Sequence, residues 1–370
     1  MSQPPDLSQL GLEWLDASGP HAEIVLSTRI RLARNLRGPR FGPHSRSTDR
    51  SAVREMARDA VIRTDLLRGG PEIDIPEVHP STRQLLLERR LVSRELIGGD
   101  EGNPPDYSVL FIAPGGVLAV MANEEDHLRL QALMSGFRLQ EAWRTVDGLD
   151  DEMGKHLPYA FHPEFGYLTS CPTNTGSGLR ASVLMHLPGL VLTKEIEKVL
   201  RGIMQVGLTF RGLHGEGSEV VGNFFQISNQ TTLGRTEEDL VDHLEKMVQQ
   251  VIQHELHARS VLLRDAPIVI EDKVWRAYGI LRHARAISFE EVMNLLSGVR
   301  LGVSLKLLPE HSVFTLNQIM IHSQSAHLEE RAGQPIERNE VGVRRATFVR
   351  DSLAGEVGGD GGNGAGRQTG

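Results

Sequence analysis

A single cysteine, Cys171, stands among 370 residues, so no disulfide can form within the chain and stability has to come from packing. That scarcity suits a reducing compartment, the cytoplasm, and leaves one thiol for packing or chemistry. Positive charge is short as well. A formal charge of -8 and a pI near 6.0 argue against a protein whose main task is coating nucleic acid or an anionic membrane. The stretch Met1 to Pro20 has neither a basic n-region nor an apolar h-region, and reads as a lead-in rather than a secretory signal. Long apolar runs are missing too. Val109 to Ala122 is broken by Pro114-Gly115-Gly116 and is too short to span a bilayer, so no membrane partner is expected.

Several familiar fingerprints are also lacking. No GxxxxGK[ST] phosphate loop, no GxSxG elbow and no dinucleotide-binding glycine pattern occurs. His254-Glu255-Leu256-His257 has its histidines three apart rather than four and has no obvious third ligand, so it reads as a polar helix face; no metal-ligating side chains are expected. No repeat of solenoid or propeller period is present.

What is there begins with strands. Val109–Ile112 and Val117–Met121 flank Pro114-Gly115-Gly116 as a β-hairpin. Leu128, Leu130, Ala132 and Met134 alternate with Arg129 and Gln131, as a further half-buried strand would. Helices follow. Thr236 ahead of Glu237, Glu238 and Asp239 starts one well, and Leu240, Leu244, Met247, Val248, Val251 and Leu256 continue at helical spacing. Ser288 and Glu291 form a capping box before Val292, Leu295 and Leu296, with Gly298 as the expected stop. From about Asp272 the pattern is mainly helical, which places a domain boundary between Leu256 and Asp272. Gly355 to Gly370 holds eight glycines and almost no apolar side chains, the composition of a disordered tail.

Four segments carry candidate chemistry. In Ser27-Thr28-Arg29-Ile30-Arg31, strand alternation puts Ser27, Arg29 and Arg31 on one face. Such a guanidinium row suits a polyphosphate, because each planar fork binds phosphate oxygens bidentately, although a solvated strand face has the same pattern. Cys171-Pro172-Thr173-Asn174 through Arg180 is a turn dense in small residues, where backbone can approach a ligand or simply turn. Arg211-Gly212-Leu213-His214-Gly215-Glu216 sets glycines around an arginine and a carboxylate. Asn123-Glu124-Glu125-Asp126-His127-Leu128-Arg129 holds three consecutive acids, explained equally by solvation or magnesium affinity. None decides a function alone.

In this order, however, the four segments resemble the signatures of the guanidino (phosphagen) kinase family, over about residues 24–257. The resemblance implies an α+β fold: an antiparallel sheet flanked by helices at 24–257, a smaller α-helical domain at 258–353, and loose ends at 1–23 and 354–370. It implies ATP bound across the sheet, with Mg²⁺ bridging phosphate oxygens and held largely through water. Arg29, Arg31, Arg129, Arg180 and Arg211 would hold the phosphates. Ser27, Thr28, Ile30, Ala181, Ser182, Val183, Leu184, Gly212, Leu213, His214, Gly215 and Glu216 would add contacts. Glu125 matches the base that deprotonates the substrate guanidinium, Glu216 the group gripping it from another side, and Cys171 a supporting thiol.

Within the family the chain resembles the bacterial branch that phosphorylates arginine side chains of proteins. Only about twenty-five residues precede the first motif, too few for the amino-terminal domain with which the small-substrate enzymes close over their ligand. The wording of Gly215 to Glu219 and of Gln226 to Leu233-Gly234, and the carboxy-terminal Ala326-His327-Leu328, point the same way. Protein substrates with exposed arginines, an adaptor, a Clp-type protease and a homodimer are the implied partners. A kinase for free arginine, or a non-catalytic phosphoarginine-binding adaptor, stays open beside this. Two departures stand out. Arg90, in Leu87-Glu88-Arg89-Arg90-Leu91, replaces a family histidine that contacts nucleotide, and the RDxxRA phosphoarginine-receptor motif is reduced to Val341-Gly342-Val343-Arg344-Arg345-Ala346. Activation by phosphoarginine is accordingly not expected to carry over.

Overall fold

A computed structural model describes residues 10–212, 220–308 and 311–355, and the chain divides into two compact units at Pro267. Residues 1–9 of the expected lead-in and 356–370 of the expected tail lie outside the described residues.

The first unit is built on β1 (Val25–Arg34), β2 (Glu72–Asp74), β3 (Val109–Ile112), β4 (Leu118–Ala122), β5 (Leu128–Ser135), β8 (Leu179–His186), β9 (Leu208–Arg211) and β10 (Phe224–Asn229). These eight pair antiparallel in the order β2-β3-β4-β5-β1-β8-β10-β9, while β6 (Phe161–His162) and β7 (Gly166–Tyr167) form a separate hairpin. The expected hairpin and the strand at 128–135 are both present, joined as read from the sequence.

Alternation along the strands divides the side chains between two faces. On one, Ile30, Leu32, Leu130, Ala132, Ala181, Val183 and Ile227 enter the main core, which is covered by α1 (Ser47–Arg63), α3 (Leu139–Gly154) and α6 (Glu237–Asp265). The opposite face is apolar only over β2, β3 and β4. There Ile73, Leu110, Ile112 and Met121 pack with Leu86 of α2 (Pro80–Glu88) in a second cluster. From β5 onward polar side chains predominate on that face, with Leu133 and Leu184 among them.

The short α4 (Pro188–Leu192) and α5 (Ile196–Gln205) link β8 to β9. Helix α6 starts at Thr236, whose hydroxyl accepts from the Asp239 N–H (3.1 Å). Its buried stripe includes Leu240, Leu244, Val248, Val251, Ile252, Glu255 and Ala258, and Leu256 lies off it, 38% exposed. Nor is Glu255 part of a polar face. It is fully buried, accepts from the Gly189 and Leu190 N–H groups (2.9 Å each) at the start of α4, and pairs with Arg259 (2.7 Å). Those unsatisfied helix-end donors explain a buried carboxylate in the middle of an amphipathic helix.

The second unit contains α7 (Pro267–His283), α8 (Phe289–Ser304), α9 (Val313–His322), α10 (Ser325–Ala332) and α11 (Val341–Leu353). Ser288 caps α8, accepting from the Glu291 N–H (3.1 Å). Gly298 does not stop that helix, which continues to Ser304. Its role is packing: a Cβ at Gly298 would lie 3.1 Å from Ala277 Cβ, and one at Gly302 only 2.3 Å from Val274 Cγ1, so the two glycines let α7 approach closely. Arg345 of α11 is buried and donates to the carbonyls of Ser323 (2.7 Å) and Ile287 (3.1 Å), tying its helix to two turns.

Candidate active site

The polar half of the sheet face is lined by arginine. In the β1–β8 register Arg31 stands directly opposite Arg180, and Arg29 opposite Ser182. Arg129 of β5 is on the same face, as is Arg211, opposite Gln226 in the β9–β10 pair. Like charges directly opposite across strands repel, so this arrangement weakens the sheet unless an anion joins it. Burial, then the guanidiniums of Arg90, Arg129 and Arg180, draw Arg29 well below the ordinary arginine range; burial, Arg29, Arg129 and Arg180 do the same to Arg31. Arginine still stays charged at neutral pH, so these are buried cations crowded by like charge.

Arg90 joins them from the turn after α2, in a left-handed conformation (φ 64°). Its Nη1 donates to Ser27 Oγ (3.0 Å), its Nη2 to Gln226 Oε1 (2.7 Å), and its carbonyl accepts from Gln131 (3.0 Å). Burial, then Arg31, lowers its pKa to about 10. Gln226 Oε1 also accepts from Arg29 (3.4 Å), so one amide holds two guanidiniums.

The acidic segment sits at the edge of this face, between β4 and β5. Asn123 takes a positive φ (60°) and opens the turn. Glu124 is buried, accepting from Ser93 and Arg129, while Glu125 pairs more loosely with Arg129 (3.6 Å) and remains partly exposed. Burial raises Glu125 above the ordinary carboxylate range; Arg129 opposes the rise, and Asp126 and Glu124 add to it. Cys171 is near enough to Glu125 to oppose that rise weakly, and its Sγ stands 3.0 Å from Thr173 Oγ1. Arg129 is raised: burial alone would lower it, but Glu124, Asp126 and Glu125 outweigh that.

The structure thus brings together Ser27, Arg29, Arg31, Arg90, Arg129, Arg180, Ser182, Leu184 and Arg211 on one face, with Glu125 beside Arg129 and Cys171 near Glu125. It sends others elsewhere. Ile30, Ala181 and Val183 point into the main core, and Thr28 donates to the Gly136 carbonyl (2.7 Å) on the same side. Gly212 follows Arg211 at the end of β9, whereas Leu213, His214, Gly215 and Glu216 lie outside the described residues.

Sequence patterns missed a supporting network. Arg34, fully buried at the end of β1, donates to Asp150 (2.7 Å), Glu237 (3.0 Å) and the Ser177 carbonyl (2.8 Å), with Tyr167 stacked 3.5 Å from its carbon. Burial would lower its pKa, but Asp150 and Glu237 raise it. Asn35 and Asp126 bind the Cys171 segment on its other side. The only sequence signal was that Arg34 and Asn35 continue the Arg29–Arg31 strand.

An arginine-lined face beside a partly buried carboxylate can bind a polyphosphate and accept a proton next to it. Comparison with known proteins accords with that. The family description "ATP:guanido phosphotransferase, C-terminal catalytic domain" matches residues 53–258, and the lombricine kinase structure resembles the chain at 25% identity and TM-score 0.56, over 65% of this chain and 70% of that one. A duplicated taurocyamine kinase from Schistosoma mansoni, solved with transition-state-analogue components, gives TM-score 0.59 at 25% identity, over 65% of this chain and 34% of that much longer one. The fold and this face define a guanidino phosphotransferase.

A second description, "Protein-arginine kinase McsB C-terminal domain", matches residues 267–360. A protein-arginine kinase of Symbiobacterium thermophilum is 42% identical over 94% of this chain and 98% of its own length, and one of Bacillus cereus is 41% identical over 92% and 95%. The chain belongs to the protein-arginine kinase family.

Proposed function

We propose that this protein phosphorylates arginine side chains of other proteins, using ATP. The observation that carries the proposal is the row of Arg29, Arg31, Arg90, Arg129 and Arg180 on one sheet face, ending at Glu125. The buried Nε atoms of Arg29 and Arg31 have no partner among the described residues, and Glu124 offsets the crowding at Arg31 only after burial and three guanidiniums. A polyanion fits such a face, and ATP would supply the γ-phosphoryl group to be transferred. Arg29, Arg31, Arg129, Arg180 and Arg211 are the residues to hold it, with Ser27, Ser182 and Arg90 alongside.

Magnesium fits a different way. Among the described residues no group of three or more His, Cys, Asp or Glu side chains could hold a metal ion, so the ion would be carried by phosphate and water. Guanidiniums around the transferring group position it and offset its charge, which is most of what phosphoryl-transfer catalysis requires.

The remaining difficulty is the substrate's proton. An arginine side chain stays protonated at any physiological pH, and its nitrogen must lose a proton as it attacks. Glu125 is the base: its raised pKa brings it closer to the range where a carboxylate accepts a proton effectively, and its exposed side leaves it open to a side chain from outside. Cys171 supports the guanidinium from the neighbouring turn, and Glu216 is assigned the second carboxylate contact. Marked proteins would pass through an adaptor to a Clp-type protease in the cytoplasm, an assignment supported by the resemblance alone. No helix among the described residues is long and apolar enough to cross a membrane.

The deciding experiment incubates the protein with Mg-ATP and either an unfolded arginine-rich protein or free arginine, then analyses products by mass spectrometry without acid. Phosphate on protein arginines, lost in Glu125→Gln, supports the proposal. Phosphorylated free arginine with unmodified protein makes it a small-guanidine kinase, and no transfer to either makes it a binding adaptor.

A further inference from the structure

The turn that carries Cys171 is anchored on both flanks, and one of its anchors is chemically odd. On the far flank the Thr232 hydroxyl approaches the carbonyls of Thr173 (2.9 Å) and Thr175 (2.7 Å). Inside the turn, Thr169 Oγ1 donates to the Cys171 carbonyl (2.7 Å). On the near flank Asn35 Nδ2 donates to the Leu168 carbonyl (3.1 Å), and the Ser170 N–H donates to Oδ1 of Asp126 (2.6 Å). That same Oδ1 also accepts from Asn35 Nδ2 (2.7 Å), while Asn35 Oδ1 accepts from the His127 N–H (2.8 Å).

Asp126 is only 1% exposed, and its Oδ2 is buried with no hydrogen-bond partner among the described residues. A carboxylate buried with one oxygen unsatisfied is costly, and a neutral amide would offer the same Oδ1 acceptor. What distinguishes the position is its place in the chain, directly after Glu125 and one hydrogen bond from Ser170, the residue before Cys171.

We propose that Asp126 is a positioning residue: through Oδ1 it locks the Ser170-Cys171 segment to the Glu125 turn and so sets where the thiol stands relative to the base. The acceptor does the positioning. Its charge has a separate effect, adding to the upward push on Glu125 that burial begins, Arg129 opposes and Glu124 reinforces. The proposal rests on Glu125 being the base of the proposed reaction, but its first test needs no turnover.

That test is the rate at which iodoacetamide alkylates Cys171 in the full-length protein, compared across wild type, Asp126→Asn and Asp126→Ala. Asparagine keeps the acceptor, so alkylation should match wild type, kcat should stay within about threefold, and the acid limb of the pH profile should move to lower pH. Alanine removes the acceptor, so the alkylation rate should change about tenfold and kcat should fall by about 10- to 100-fold, as displacements near 1 Å at a reacting centre do. In a Cys171→Ala background the loss caused by Asp126→Ala should largely disappear, because the two changes act on one geometry. Mg-ATP titration by calorimetry checks that the arginine face is intact. If Asp126→Ala does not fold, Asp126→Ser, whose shorter side chain withdraws the acceptor from the Ser170 N–H, is read in its place.

Unchanged alkylation in the folded alanine variant, or in Asp126→Ser when that stands in, overturns the proposal. So does full additivity with Cys171→Ala, or an asparagine variant as impaired as alanine. Absence of phosphoryl transfer in wild type would instead remove the kinase assignment, leaving the alkylation comparison to judge the anchor.

Discussion

Glu125 and Arg31 do opposite things to the protein that carries them. Glu125 is held partly out of water, which raises its pKa, and the catalytic consequence has a definite sign. The ionised base is present above that raised pKa and is lost as pH falls through it, so kcat/KM should show an acid limb centred above 4.5, the ordinary value for a glutamate. Glu125→Gln should abolish the limb and lower kcat by about 10²- to 10⁴-fold, with Mg-ATP affinity measured by calorimetry nearly unchanged. Arg31 faces Arg180 and is crowded by Arg29 and Arg129. Arg31→Met should therefore weaken Mg-ATP binding by about 30-fold or more, roughly 2 kcal/mol, while leaving the nucleotide-free protein as stable as wild type or more so by thermal melting.

At the scale of elements, two positions that the sequence presented as ordinary turn out to join helices. Glu255 looked like one polar residue of an amphipathic face, yet it satisfies the first N–H groups of α4 and the guanidinium of Arg259. Glu255→Ala leaves a buried cation and orphaned helix donors, and should cost about 3–5 kcal/mol in chemical denaturation. Gly302 lies inside α8, where Gly302→Ala would drive a methyl group against Val274; the expected cost is about 1–3 kcal/mol, read as an earlier transition of the second unit. The expected stop at Gly298 failed for the same reason. Sequence alone cannot tell a glycine that ends a helix from one that admits a neighbour, since only the neighbour makes the difference.

For the molecule as a whole, a face of repelling guanidiniums makes stability depend on anions. Mg-ATP at a hundredfold excess over its Kd should add about 2.7 kcal/mol to the first unit's stability, and the gain should shrink with added salt. Light scattering after gel filtration should return twice the 40.9 kDa chain mass if the homodimer implied by the family resemblance forms, and a single chain mass would dismiss it.

Much of the fold and half of the site were legible from the chain itself. Periodicity placed the hairpin at 109–122, the strand at 128–135 and the start of α6, because those segments bury one face and side-chain direction follows from residue number. The same rule put Ser27, Arg29 and Arg31 together. It could not say that Arg180 would stand opposite Arg31, that Gln226 would hold both Arg29 and Arg90, or that Asp126 would bind the turn carrying Cys171. Nor could it say that Ile30, Ala181 and Val183 would turn into the core while their neighbours lined the site. Register between strands far apart in sequence, and burial of a carboxylate against a helix end, are settled by the packing of the whole sheet. Local pattern therefore determined which residues share a strand face, and the tertiary structure alone decided which faces meet.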